Sequence, residues 1–539
     1  SVSKSHILTK SIQFSMLFHV KYLYLRGVFN QNQSVFHILD DKGASILRMI
    51  YSVLGETTFF QGVSNYLDYF KYNNAVQDEL WTFLTNVTNP SKLDGFTIKQ
   101  IMDTWTLQEG YPVLLVTRHY QNQSLTLKQK RFVFDPNSSN QTSAYINPFK
   151  PLEFQWYIPY DYMIDSKLST FHWLAPNETI YLENIRTSND WILFNVNQFG
   201  FYRVNYDNQN WHLIMQGLKI NSSQFPTVSR AQLIDDSFNL ARSGDIDIDI
   251  PMSLSTYLCH ELNYIPFSSF STNIQYPTIM FGQNESSLEY QQIQTYIQKI
   301  FEPAYRYFGW SITATTSDYL SRQARSLIIS DLCTNNHDAC TAEAIFQYKQ
   351  WRQNPLTHSI NPDFRMTVYC QGIKNGTVED YLFIKNAYKQ TNDQVEKNRY
   401  GLALTCTRNV TLLEELLNET LSNDYIRLQD SSTFIGRIST QPGGQKLTWK
   451  FISQRWPELV SKLGGLSFTL SNIVESVLQY VNTQHELNII ENFMSKTKDL
   501  SIAERAFQSS IEKVKANIRW MDTIGRGIRT WLSINSVTC

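Results

Sequence analysis

A chain of 539 residues is too long for one hydrophobic core and calls for about three domains. Lys+Arg 47 against Asp+Glu 48 gives a net charge of −1, which excludes a global field that recruits nucleic acid or an acidic membrane. Charged residues at 18% and aromatics at 14% exclude a disordered chain.

The first residue is Ser1, which leads us to expect a processed or truncated N-terminus. Phe14 to Phe29 is the only membrane-like stretch, and His19, Lys21 and Arg26 interrupt it. It lacks the small-residue cleavage site of a signal peptide. With no longer clean apolar run, the expectation is a soluble chain, or the soluble part of something anchored elsewhere. From Lys42 to about Leu107 the pattern is helical. Ile46, Leu47, Ile50, Val53 and Leu54 form one face, and Gly55 ends that helix. Phe59, Val63, Tyr66, Leu67 and Phe70 begin a second stripe, and Leu80, Trp81, Leu84 and Val87 a third. Thr97 is the expected N-cap of a fourth, which runs through Ile98, Ile101, Met102 and Trp105. Gly110 and Pro112 stop it, and Val113-Leu114-Leu115-Val116 starts a buried strand.

From Tyr111 to about Asp207 the chain alternates. Leu125 and Leu127, Phe132 and Phe134, Phe154 through Tyr160, Trp191 and Leu193, then Phe199 and Phe201 read as short strands. Several such strands in about a hundred residues suggest a small β-sandwich. From Asn208 the pattern is helical almost to the end, broken at Gly244, Asn354-Pro355, Gly443-Gly444 and Gly464-Gly465. That many short helices cannot wrap one core, so stacking into an α-solenoid is the economical solution. The expected fold class is α+β and multidomain.

Asn-x-Ser/Thr acceptors occur at Asn32, Asn86, Asn122, Asn137, Asn140, Asn177, Asn221, Asn284, Asn375, Asn409 and Asn418. Their density points to an extracellular or lumenal surface. Cys333 and Cys340 enclose a short polar loop, and Cys370 and Cys406 lie on consecutive helical segments. Two local disulfides suit an oxidising compartment; four free buried thiols are the alternative. Cys259 and Cys539 have no obvious partner.

Candidate metal motifs fail on spacing. His260-Glu261 and His485-Glu486 begin like HExxH, but Tyr264 and Ile489 stand where the second imidazole is required. Cys333, His337 and Cys340 offer three ligands in one small loop without a fourth, so a structural disulfide is the stronger reading. There is no G-x-S-x-G, Walker loop, dinucleotide fingerprint or CxxC. Basic residues are dispersed, which argues against nucleic acid as a partner.

Five segments in order resemble the gluzincin zinc aminopeptidases, in the branch of aminopeptidase N and aminopeptidase Q (laeverin). They are Asp41 to Met49 (Asp-Lys-Gly-Ala-Ser-Ile-Leu-Arg-Met), Trp105 to Pro112, Gly200 to Asp207, Arg230 to Asp236, and Lys515 to Trp520. The similarity covers about Lys42 to Trp531. It implies residues 35–109 as the C-terminal helical part of a thermolysin-like catalytic domain, 110–207 as the β-sandwich and 208–539 as an ERAP-like helical solenoid. Residues 1–34 match nothing in the family. Cys333, Cys340, Cys370 and Cys406 resemble that branch's two disulfides. Many members are glycosylated, dimeric, type II membrane-anchored ectoenzymes, whose helical domain limits which peptides reach the catalytic cleft.

The departures are chemical. The family holds zinc with HExxH and a downstream Glu, and grips the substrate amine with Gly-x-Met-Glu-Asn; neither stands in this sequence. The family's oxyanion-stabilising Tyr falls at Asp40 here. A carboxylate repels an oxyanion, and losing one such donor costs roughly 3–4 kcal/mol. The expectation is therefore a chain without catalytic residues, cofactor or metal of its own. Its family reaction is release of N-terminal amino acids from peptides. The alternatives are a binding module for peptides, a second copy or a full-length homologue, and an unstable splice product.

Overall fold

The computed structural model describes residues 35–134, 154–164, 166–185, 190–284, 286–311, 317–355, 357–466, 468–535 and 539, with side chains from Lys42 onward. The chain is mostly helical with a few small sheets. It divides into two compact units: residues 1–257 with Ser268–Phe270, and Leu258–Phe267 with Ser271–Cys539.

The first unit opens with α1 (Val35–Leu54), α2 (Glu56–Tyr69), α3 (Gln77–Val87) and α4 (Ile98–Thr106). Ile46, Met49, Ile50, Val53 and Leu54 are buried along α1. Gly55 turns the chain out of α1 at φ +82°, a conformation only glycine takes without strain. Thr97 caps α4 reciprocally: its hydroxyl accepts from Gln100 N at 3.2 Å, and Gln100 Oε1 accepts from Thr97 N at 2.8 Å. Gly110 (φ +81°) then redirects the backbone into β1 (Pro112–His119).

Strands β2 (Ser124–Arg131), β7 (Ile180–Leu182) and β9 (Arg203–Tyr206) join β1 in a four-stranded sheet ordered β7-β2-β1-β9. The β1–β2 pair is antiparallel, with Val113 opposite Lys130. The β1–β9 pair is parallel, with Val113 opposite Arg203. Strands β3 (Ile158–Tyr160) and β6 (His172–Leu174) pair separately, and β4 (Tyr162–Ile164) sits between β5 (Lys167–Leu168) and β8 (Leu193–Phe194). Of two expected strands, the one over Phe154 to Tyr160 is shortened to β3 and the one over Phe199 and Phe201 is absent. Phe154 lies in a bend at φ +53°, under the Arg131 guanidinium at 3.8 Å. Phe199 and Phe201 fall outside any strand, because the Asn195 side chain supplies the pairing there. Its Nδ2 donates to Gly200 O and Tyr202 O, each at 3.2 Å, and its Oδ1 accepts from Gly200 N at 2.8 Å.

Helices α5 (Asn208–Asn221), α6 (Thr227–Arg242) and α7 (Asp249–Leu254) complete this unit. The boundary between units thus lies beyond the strand-to-helix switch at Asp207, because α6 packs on β9 and the turn at Val196–Gln198.

The second unit is built of α8 (Tyr264–Gly282), α9 (Leu288–Phe308), α10 (Tyr319–Thr334), α11 (Asp338–Gln353), α12 (Arg365–Lys374), α13 (Val378–Gln390), α14 (Gln394–Leu404) and α15 (Val410–Glu419), followed by α16 (Ser431–Ser439), α17 (Gly444–Gln454), α18 (Trp456–Leu463), α19 (Thr469–Leu478), α20 (Gln484–Lys496), α21 (Glu504–Asp522) and α22 (Ile524–Ile534). Sequence neighbours pack on each other, as in α9 with α10, α11 with α12 and α13 with α14. Close approach is enforced by small residues: a Cβ on Gly372 of α12 would enter the Tyr348 ring of α11. Phe346 on α11 is 57% exposed.

Candidate functional site

In the candidate metal groups, Glu261, Glu486 and His337 are engaged in holding local structure. Glu261 is buried, and its Oε1 accepts from Leu262 N and Asn263 N at 3.0 Å and from Asn263 Nδ2 at 2.8 Å. It therefore satisfies backbone donors just before α8. Glu486 does similar work at the start of α20, where its Oε2 accepts from the Thr483 hydroxyl at 2.6 Å and Thr483 Oγ1 accepts from Glu486 N. His337 is the N-cap of α11. Cys340 N donates to its Nδ1 at 3.3 Å, so the ring proton sits on Nε2, 2.6 Å from Glu302 Oε2. Both ring nitrogens have partners, and the flanking Cys333 and Cys340 are joined to each other. These donor sets do not fit a zinc ion. Among the described residues no group of three or more His, Cys, Asp or Glu could hold a metal.

Asp40 lies on α1, and its side chain is outside the described residues. Two residues on, Lys42 Nζ donates to Gln108 O at 3.0 Å and Gly110 O at 3.3 Å. Burial lowers the ammonium to about 8, with Glu109 opposing. Arg48 reaches Gln198 O at 2.5 Å and Asn197 O at 3.2 Å. Trp105 Nε1 donates to Tyr157 O at 3.0 Å, and its ring meets Trp156 at 6.2 Å. The Tyr111 ring meets Phe201 at 5.4 Å. The segments that resemble the family thus converge on one another. They clamp the helical N-terminal part of this unit to its sheets.

The centre of that clamp is Arg203, 1% exposed on β9. Its guanidinium donates to Asp235 Oδ2 at 2.6 Å and Asp236 Oδ1 at 3.0 Å. Asp236 Oδ2 also accepts from Val204 N at 3.1 Å, which ties α6 to β9. Desolvation pulls Arg203 down, but the two carboxylates outweigh it and raise its pKa. Burial pushes Asp236 up while Arg203 holds it down. Nearby, burial pushes Asp161 up to about 7, against the bond it accepts from Val196 N at 2.9 Å. The chemistry of this network is structural.

In the second unit the Lys515–Trp520 segment acts in the same way. Asn517 Nδ2 donates to Gln479 O and Val481 O at 2.9 Å, and its Oδ1 accepts from Tyr276 OH at 2.7 Å. Cys333 and Cys340 are bonded with Cα atoms 5.2 Å apart, and Cys370 and Cys406 with Cα atoms 5.4 Å apart. Cys259 and Cys539, left without a partner by sequence reasoning, are bonded across 280 residues. Spacing carries no signal for so distant a pair.

Three further features were missed. Glu396 is buried and accepts from Arg365 at 2.7 Å, from Arg399 and from the Tyr369 hydroxyl at 3.3 Å. Lys385 reaches across to Glu419 at 2.5 Å. Apart from Arg399, these partners lie some thirty positions apart, and no periodicity announces them. Third, Arg437 on α16 is exposed, and no ion pair engages its guanidinium among the described residues.

Asn86, Asn122, Asn177, Asn221, Asn284, Asn375, Asn409 and Asn418 are all exposed. Asn32, Asn137 and Asn140 lie outside the described residues. Among the described residues no helix is long and apolar enough to cross a membrane.

A family model described as the ERAP1-like C-terminal domain matches residues 191–516, and one for the peptidase family M1 domain matches residues 28–105. Human aminopeptidase N is 31% identical over 509 residues, covering 92% of this chain and 50% of that protein. Chicken (Gallus gallus) aminopeptidase Ey is 32% identical over 500 residues, covering 91% and 50%. The rat thyrotropin-releasing hormone-degrading ectoenzyme is 28% identical over 503 residues, covering 91% and 46%. The chain spans about half the length of the curated relatives it matches. An M1 match leading into an ERAP1-like match, and signature segments clamped together as one scaffold, place the chain in the aminopeptidase N-like family of M1 peptidases.

Proposed function

We propose that this polypeptide is the scaffold half of an aminopeptidase N-like zinc peptidase homologue and does not by itself release N-terminal residues. The observation that carries this is the engagement of the candidate ligands: Glu261 and Glu486 hold helix starts, and His337 caps α11 through one nitrogen and pairs with Glu302 through the other. A catalytic zinc needs three side-chain donors and an open position for water. The test is incubation of the purified chain with zinc and an aminoacyl anilide. No turnover is expected; turnover that a chelator abolishes contradicts the proposal.

In finer detail we read α1–α4 as the helical tail of a thermolysin-like domain, β1–β9 as a small sandwich and the second unit as a solenoid. Exposed acceptor asparagines and bonded cysteines support an extracellular or lumenal, glycosylated chain. Pairing with a full-length homologue or a second copy through the helical unit is consistent with this role.

Arg437 favours a second function, peptide holding. An exposed guanidinium with no ion pair among the described residues suits a peptide's free carboxylate. A labelled peptide with a free C-terminus is expected to bind more tightly than its amide. Arg437→Ala is expected to erase the difference, and equal affinity of acid and amide contradicts this reading.

A further inference from the structure

We propose that the Cys259–Cys539 disulfide is a thiol-exchange site, opened by small thiols that carry carboxylates, the glutathione class, while the other two disulfides stay closed. The three bridges differ in access. Cys333 and Cys340 are fully buried; Cys370 is half-buried and its partner Cys406 is 4% exposed. Cys539 is exposed, whereas its partner Cys259 is 6% exposed. An attacking thiolate therefore meets one sulfur and leaves the other as the leaving group. Exposed disulfides are the labile ones, because exchange needs in-line access to sulfur.

The surroundings select the thiol. A cavity of about 570 Å³ is lined by both cysteines together with His260, Lys299, Arg306 and His337. Its carboxylate, Glu302, is already held by Arg306 at 2.8 Å and His337 at 2.6 Å. Lys299 and His260 have no ion pair among the described residues, and the Lys299 carbonyl oxygen lies 3.2 Å from Cys539 Sγ. The cavity thus presents the unpaired Lys299 ammonium beside an attackable sulfur. Positive charge raises the local concentration of an anionic thiol and stabilises the departing Cys259 thiolate.

The exchange balances in two steps. A thiolate attacks Cys539 Sγ, a mixed disulfide forms, the Cys259–Cys539 bond breaks, and its electron pair leaves on Cys259 as thiolate, which takes a proton from solvent. A second thiolate attacks the sulfur of the first thiol, releasing the Cys539 thiolate and the oxidised small-molecule disulfide. Two thiols are oxidised and one protein disulfide is reduced.

The test uses the full native chain, reduced glutathione and neutral 2-mercaptoethanol, with trapped products mapped by mass spectrometry. The expected first product carries glutathione on Cys539 and a free thiol on Cys259. Lys299→Glu, a change at an exposed side chain, is expected to slow glutathione by roughly three- to tenfold and leave 2-mercaptoethanol unchanged. Opening of Cys333–Cys340 or Cys370–Cys406 first overturns the proposal. So does exchange that requires denaturant, or a Lys299→Glu effect equal for both thiols.

Discussion

Arg203 is enclosed by Asp235 and Asp236 with almost no solvent contact, so its removal strands buried charge. Arg203→Leu is expected to cost about 3–5 kcal/mol in urea unfolding, and adding Asp236→Asn to recover part of it. Equal stability of the single and double variants would count against the clamp. Asp161 makes a separate prediction. Its folded pKa is raised from 3.8 to about 7, so the folded state holds a proton that the unfolded state has lost. The stability it contributes is fully present below pH 3.8 and disappears as pH rises through 7. Between these limits the loss is about 1.4 kcal/mol per pH unit. Asp161→Asn keeps an acceptor for Val196 N, so its urea midpoint is expected to gain on the parent between pH 5 and 7. Parallel curves would refute the assignment. At this scale the sequence says little. Arg203 and Asp236 stand out in matching segments, but a chain has no mark that distinguishes a buried clamp from a catalytic cluster. The Glu396 network carries no mark at all.

Elements were the most legible level. The helical stripes around Ile46, Val63 and Trp81 face the core because the 3.6-residue period leaves few alternatives. The strand reading failed at Phe199 and Phe201, where the Asn195 side chain substitutes for a neighbouring strand and the backbone enters left-handed conformations at Asn195, Asn197 and Gln198. Alternation alone does not register such a side-chain-built turn. Disulfides give a ranked prediction. Loop-closure entropy grows with separation, and separations of 280, 36 and 7 residues correspond to roughly 5–6, 4 and 2 kcal/mol. Paired Cys→Ser variants are expected to lower the thermal midpoint of the second unit in that order. A reversed order would mean that residual denatured-state structure or altered packing outweighs loop entropy. Gly372→Ala, which drives a methyl into Tyr348, is expected to cost about 1–3 kcal/mol.

For the whole molecule, the family was readable because five segments keep their order, and the structure gives that order a physical content. Lys42, Trp105, Tyr111, Arg203 and Asp236 lie in the first four segments and cooperate in one clamp. The Lys515–Trp520 segment makes its own clamp in the second unit. Of the candidate ligands, Glu261, Glu486 and His337 hold helix starts. The pairing of Cys259 with Cys539 was hidden, since it depends on how segments 280 residues apart come together. The most direct measurement is metal stoichiometry. The purified chain is equilibrated with zinc, desalted, and assayed by mass spectrometry of the metal. The account predicts no zinc retained against a mild chelator. One zinc per chain, lost on changing His260, His337 or His485 to Ala, would contradict it.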